Sequence, residues 1–186
     1  MGEKVKHPEI VHCLYVGVTQ SGKTTLARAN SRQLRAQKIN VAVLDPLGTA
    51  TAGGDWGDGV LIFTDTEAFL EWAHSDAAVN YHVFIDEAHH VLGHSHTENF
   101  WMLTEGRHFY LTLHLMTQRP KKLHPDVRHN CGRCFMFRLS KSDRSEIGGD
   151  YGFDDLDKIS LDKGDFLVLN SGSAEFSRAN IFQLLE

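Results

Sequence analysis

The chain has 186 residues, of which 41% are hydrophobic and 23% charged. That suits one domain with a buried core and excludes an enzyme needing two complete motor domains in one polypeptide. No apolar run reaches the roughly 18–20 residues of a bilayer-spanning helix, and residues 1–6 have no apolar stretch behind their charges, so no signal peptide or membrane span is expected. A formal charge of −5 excludes a protein that coats nucleic acid over its whole surface.

The elements alternate along the chain. Residues 10–16 read as a buried strand running straight into a glycine-rich turn, and residues 23–37 as a helix with Leu26, Ala27, Ala29 and Leu34 as its apolar positions. Residues 41–44 form a second buried strand, stopped by Asp45-Pro46. Residues 49–59 are a glycine-rich loop, residues 60–63 a short strand, and residues 66–74 a helix opened by Thr66 with Glu67 behind it. The next strand, 83–85, ends in Asp86-Glu87. A helix is expected over 97–105, closed by Gly106. Then come a strand over 110–116, a short helix over 125–130, a strand over 134–139, and a hairpin joining 166–169 to 175–182 around Asn170-Ser171-Gly172-Ser173. Strands that are apolar throughout and separated by helices predict an α/β fold with a mostly parallel central sheet, helices on both faces and a C-terminal β-hairpin. Residues 1–186 read as a single domain.

Charge is unevenly spread. Residues 119–144 hold eight Lys/Arg against two Asp, and residues 145–186 hold nine Asp/Glu against three Lys/Arg. These are either solvated faces or, respectively, a surface for a polyanion and one for a neighbouring subunit. Three cysteines cannot close a disulfide framework, which points to a reducing compartment.

Residues 17–24, Gly-Val-Thr-Gln-Ser-Gly-Lys-Thr, match the phosphate-binding Walker A pattern in full. Gly17 and Gly22 permit turns that a Cβ would block, so backbone N–H groups can point at phosphate oxygens. The helix that starts near Lys23 adds the positive end of its dipole. The candidate phosphate-binding residues are Gly17, Thr19, Gln20, Ser21, Gly22, Lys23, Thr24 and Thr25. Lys23 reaches the β- and γ-phosphates, and the Thr24 hydroxyl is placed for Mg²⁺. A Walker B pair follows at the end of its own strand, where Asp86 completes the Mg²⁺ shell and Glu87 polarises the attacking water. Near 117, a strand end carries Thr117-Gln118-Arg119-Pro120. The Gln118 amide there can touch both the terminal phosphate and the water.

In the order and spacing of residues 17–24, Asp45-Pro46, Asp86-Glu87, Gly106-Arg107 and Thr117-Gln118-Arg119-Pro120, the chain resembles the FtsK/HerA superfamily of DNA-pumping ATPases. Its size is most similar to the genome-packaging ATPases of viruses and phages with internal membranes. The resemblance implies a RecA-like P-loop NTPase core, a homo-oligomeric ring (often a hexamer), ATP and Mg²⁺ as ligands, and double-stranded DNA moved through the pore. It also implies contact with capsid vertex proteins, no membrane insertion, and a location in the virion or host cytoplasm. Lys23, Glu87 and Gln118 take the catalytic roles, with an arginine supplied by the next subunit. Arg107 is the first candidate for that arginine, and Arg119, Arg128 and Arg133 compete with it. The loops at 49–59 and 89–97 are candidates to face the pore.

Other signals compete. Cys131 and Cys134 have C-x-x-C spacing, but there is no second pair, and a zinc site would need histidines such as His124 or His129. The histidines at 89, 90, 94 and 96 read as lining a loop near nucleotide or pore. Asp86-Glu87-Ala88-His89 spells the acidic box of a helicase class that needs two RecA-like domains. The alternative functions are a nucleoside kinase of the thymidine-kinase type, which would want the cysteine pair, and a nucleotide-gated assembly protein with little turnover. No N-K-x-D motif for reading guanine is present.

Overall fold

The computed structural model describes residues 10–48 and 56–185. Its strands are β1 (Cys13–Val16), β2 (Asn40–Leu44), β3 (Leu61–Phe63), β4 (Tyr81–Ile85), β5 (Thr112–Thr117), β6 (Arg133–Met136), β7 (Asp165–Asn170) and β8 (Ser177–Asn180). They form one eight-stranded sheet in the order β3-β2-β4-β5-β1-β6-β7-β8. The first six strands run parallel, and β7 and β8 add an antiparallel hairpin at one edge. The expected α/β fold is therefore present.

Both faces of the sheet are covered. Because side chains alternate along a strand, Cys13 and Tyr15 of β1 pack with Leu26 and Ala27 of α1 (Lys23–Ala36) and Ile181 of α6 (Ile181–Leu184). Leu14 and Val16 face the other way. They share a core with α2 (Thr66–Ala73), α3 (His89–Leu92), α4 (Pro125–His129) and α5 (Lys141–Tyr151).

Several expected boundaries shift for local reasons. Asp65, not Thr66, caps α2, accepting the Ala68 N–H at 2.8 Å. The helix expected over 97–105 is two 3₁₀ turns, Thr97–Leu103 and Glu105–Phe109, and Gly106 lies inside the second rather than ending the first. Gly106 is buried against Leu111, and Tyr110, at φ 56°, makes the reversal that the glycine was expected to make. Helix α5 was not expected, although Ser140 caps it by accepting the Asp143 N–H at 3.1 Å. Of the loop expected over 49–59, residues 49–55 lie outside the described residues. Its end is held where Trp56, buried, presents its carbonyl to Ser31 Oγ at 2.6 Å.

A buried polar row crosses the sheet beneath α1. Asn30 Nδ2 donates to Tyr15 Oη (2.8 Å), which meets His114 Nδ1 (3.1 Å), and His114 Nε2 meets His82 Nδ1 (2.9 Å). One proton per link satisfies the row with both imidazoles neutral. At the start of β1, His12 Nδ1 accepts the Leu113 N–H. Burial pulls His12 down to about 4, against a bond to Leu103 that raises it, and holds His114 well below the ordinary histidine range.

Unfolded, these histidines titrate near 6.5, so below that pH the unfolded chain binds protons that the folded chain refuses, and stability falls. Urea unfolding at pH 7 and pH 5 is expected to show a loss on the order of 2 kcal/mol from His12 alone, with His114 adding to it. A stability that stays flat over that interval would contradict neutral, buried imidazoles.

Candidate nucleotide-binding site

Parallel pairing brings the carboxyl ends of β4, β5 and β1 to one edge, side by side. Residue 17 leaves β1 beside the exit of β6. The Phe137 N–H donates to Val16 O (2.8 Å), and the Val18 N–H donates to Arg138 O (2.9 Å). A Cβ on Gly17 would lie 2.6 Å from Phe137 Cβ and 2.7 Å from Ser21 Oγ, so only glycine fits there. Gly22, at φ 116°, turns the chain into α1. The loop leaves the N–H groups of Thr19, Gln20 and Gly22 without an acceptor among the described residues. Ser21 Oγ is buried and also unpartnered. Unspent donors at a helix start, with the helix dipole behind them, form a seat for an anion.

Lys23 is mostly buried, and its ammonium donates to Gly17 O (2.5 Å) and Val18 O (3.0 Å). Burial lowers its pKa, while Glu87 and Asp86 pull it back up. The ammonium is satisfied by the loop's own carbonyls, and a phosphate would offer it charged oxygens in exchange.

The catalytic candidates meet across three strands. Thr19 Oγ1, from the loop after β1, donates to Gln118 Oε1 at 2.8 Å. Gln118 Nε2, after β5, donates to Glu87 Oε1 at 2.5 Å. Glu87, after β4, sits in the left-handed region at φ 44°, a conformation that costs a non-glycine residue about 1–3 kcal/mol and concentrates at functional sites. His89 Nδ1 lies 3.4 Å from the other Glu87 oxygen, without a hydrogen bond.

Asp86 is half-buried, and its Oδ1 accepts the Glu87 N–H at 2.9 Å. Its pKa is raised first by burial and further by Glu87 and Asp45, against lowering by the Glu87 N–H and Lys23. Asp45 is buried, and sequence reasoning used it as a strand stop and a motif marker but gave it no place in the site. Its signal was the acid at the end of an apolar strand. It lines a cavity of about 490 Å³ with Asp86, Glu87, Glu67, Leu47 and His90. Thr24, in the first turn of α1, and Asp86 supply oxygen donors only. Mg²⁺ is usually held by one or two carboxylates plus substrate phosphates, so this partial set fits it.

The arginines divide by position. Arg107 is exposed at the opposite, amino edge, where its charge acts on His12, so it cannot reach this chain's own cradle. Arg133 is at the same amino edge, bonded to Asn170. Arg128 is 3% exposed and tied to Asp150 and Glu146, both at 2.6 Å, and to two carbonyls, so it braces the fold. Arg119 flanks the cradle, as does Arg138, which sequence reasoning missed. With Thr19, Gln118, Lys121 and Lys122 they line an open cavity of about 970 Å³. Cys131 and Cys134 are fully buried, and burial raises both thiols far above their ordinary range, which makes them core residues rather than ready thiolate ligands.

No protein-family model and no curated protein matches the chain. Solved structures do. The genome packaging NTPase B204 from Sulfolobus turreted icosahedral virus 2, in complex with AMPPCP, is 21% identical with a TM-score of 0.77, over 92% of this chain and 97% of that one. B204 from Sulfolobus turreted icosahedral virus, described as a DNA-packaging ATPase, is 20% identical with a TM-score of 0.75, over 91% and 97%. The pCW3 conjugation coupling protein TcpA, with ATPγS, is 16% identical with a TM-score of 0.70, over 96% and 66%. At these identities the likeness defines the fold, and the class of the chain is a P-loop NTPase fold of the kind shared by packaging and coupling proteins.

Gly17→Ala should destabilise the protein by about 1–3 kcal/mol, through overpacking against Phe137 and Ser21. It should also abolish the rise in melting temperature expected of the parent protein with ATP and Mg²⁺. A variant that melts like the parent and still responds to ATP would contradict the close approach described here.

Proposed function

We propose that this chain is an ATPase that moves double-stranded DNA, packaging a viral genome into a capsid as one subunit of a ring. The observation that carries the reading is the Thr19–Gln118–Glu87 row, which ties the cradle, the sensor amide and the acid into one hydrogen-bonded unit. Fold likeness to proteins described as packaging and coupling NTPases supports it.

On this reading the triphosphate lies in the cradle, held by the free loop N–H groups and Lys23. Thr24 and Asp86, with the phosphates, would hold Mg²⁺, which would supply positive charge against the negative charge that builds on the oxygens. Glu87 accepts a proton from water as the water oxygen bonds to the terminal phosphorus, and the bond to the bridging oxygen breaks with ADP leaving. Gln118 is placed to exchange its bond with Glu87 for one with the terminal phosphate, so the site differs before and after hydrolysis. The next residues, Arg119, Lys121 and Lys122, form with Arg138 a cationic wall suited to DNA phosphates. An arginine from a neighbouring subunit, with Arg107 the first candidate, would complete the site. The segment expected as a loop over 89–97 is helix α3 followed by a turn, and that turn lies beside this wall, with His94 Nε2 meeting Lys121 O at 3.0 Å.

Phosphate release is expected to rise with double-stranded DNA. Glu87→Gln should lose hydrolysis by about 10²–10⁴-fold while still binding ATP. The Lys121→Glu, Lys122→Glu double variant should lose the DNA-stimulated increment. Transfer of phosphate to a nucleoside in place of water would overturn the proposal.

A further inference from the structure

We propose that the recess beside the start of α1, closed by Ile181 and Phe182, is the nucleobase subsite, and that the exposed ring of Phe182 is its stacking platform; this rests on the nucleotide reading above. The direction of the bound chain follows from strand order. Glu87 and Gln118 stand at the ends of β4 and β5, so the reacting phosphate lies on that side of β1. The nucleoside end must then leave toward the other side, where β6, β7 and β8 lie.

On that side is a recess of about 150 Å³, lined by residues 20–25 of the cradle together with Ile181 and Phe182. The C-terminal segment is fastened to the cradle. The Gly164 N–H donates to Ser21 O (3.3 Å), and the Ile181 N–H donates to Gly164 O (2.9 Å). Ile181 is buried so close beneath Gly22 that a Cβ there would lie 3.2 Å from its Cγ2.

Phe182 is different. It is 53% exposed although it sits beside an anion seat, where a hydrophobic side chain gains nothing from phosphate. Its position is nonetheless set. Its N–H is capped by Asn180 Oδ1 at 2.9 Å, Asn180 Nδ2 is held by Asp165 at 2.7 Å, and its ring lies where a Cβ on Gly164 would come within 2.5 Å. A positioned aromatic ring with an open face, at the nucleoside end of a triphosphate cradle, suits the face of a base. The two side chains that the C-terminal segment brings are hydrocarbon, so they hold a base by its face and not by its edge. This accounts for the lack of a base-reading motif in the sequence, and it implies that ATP and GTP bind with similar affinity.

The test is calorimetric titration, with Mg²⁺, of ATP, GTP and inorganic triphosphate into the parent protein, Phe182→Ala, Phe182→Leu and Phe182→Tyr. Phe182→Ala and Phe182→Leu are expected to bind ATP and GTP roughly ten-fold or more weaker, to bind inorganic triphosphate as the parent does, and to be rescued by Phe182→Tyr. Phe182→Ala binding ATP as tightly as the parent would overturn the subsite. So would an equal loss for inorganic triphosphate, which marks a damaged cradle. A parent protein that binds ATP no better than inorganic triphosphate overturns the subsite but leaves the cradle standing. One that binds neither overturns the nucleotide reading as well.

Discussion

A hydrogen-bonded row crosses three adjacent strand ends, from Thr19 through Gln118 to Glu87, and the site depends on it. It exists because β5 lies between β4 and β1 in a parallel sheet, which puts an acid, an amide and a phosphate loop on one edge at neighbouring positions. An amide is suited to the middle place, since it donates from one atom and accepts at the other. With Glu87 ionised, the Gln118 nitrogen must face the acid and its oxygen must face Thr19. A terminal phosphate, itself an acceptor, competes with Glu87 for that same nitrogen. On the proposed reading, nucleotide arrival and the freeing of the acid would be one event, and the residues that follow Gln118 are cationic ones lining the adjoining cavity.

Electrostatics sharpen the arrangement. Asp86 and Glu87 lie near one ammonium, Lys23, with Asp45 acting on Asp86, and burial works against charge on both Asp86 and Lys23. Such a group of acids gains from a divalent cation, and the loop N–H groups and Lys23 gain from an anion. On the proposed reading, nucleotide and Mg²⁺ together would satisfy both halves, which neither would alone. The left-handed backbone at Glu87 is paid for by burial of the strands on either side.

Where a few adjacent residues form a recognisable pattern, their place in the fold could be read directly from the sequence. Residues 17–24 and the pair Asp86-Glu87 needed only a strand before them, and the alternation of apolar strands with helices was enough for the parallel sheet. The features missed depended on packing contacts that no local pattern records, some within a few residues and some between distant segments. Gly148 and Gly149 disguised α5, yet Gly148 is small because the Phe153 carbonyl crosses it, 2.4 Å from where a Cβ would be. Gly106 looked like a helix stop but serves close packing, and the reversal fell to Tyr110, which no propensity favours. Arg138 and Phe182 come to the cradle only because β6 and α6 flank it, more than 100 residues along the chain. Arg107 shows the opposite case, since it is close to the sensor strand in sequence and at the far edge in space.

The most direct measurement is a crystal structure with a non-hydrolysable ATP analogue and Mg²⁺. The account predicts that Lys23 leaves the carbonyls of Gly17 and Val18 for the phosphates, and that the Gln118 nitrogen moves from Glu87 to the terminal phosphate. Phosphates bound elsewhere, with Lys23 still on the loop carbonyls and Gln118 still on Glu87, would contradict it.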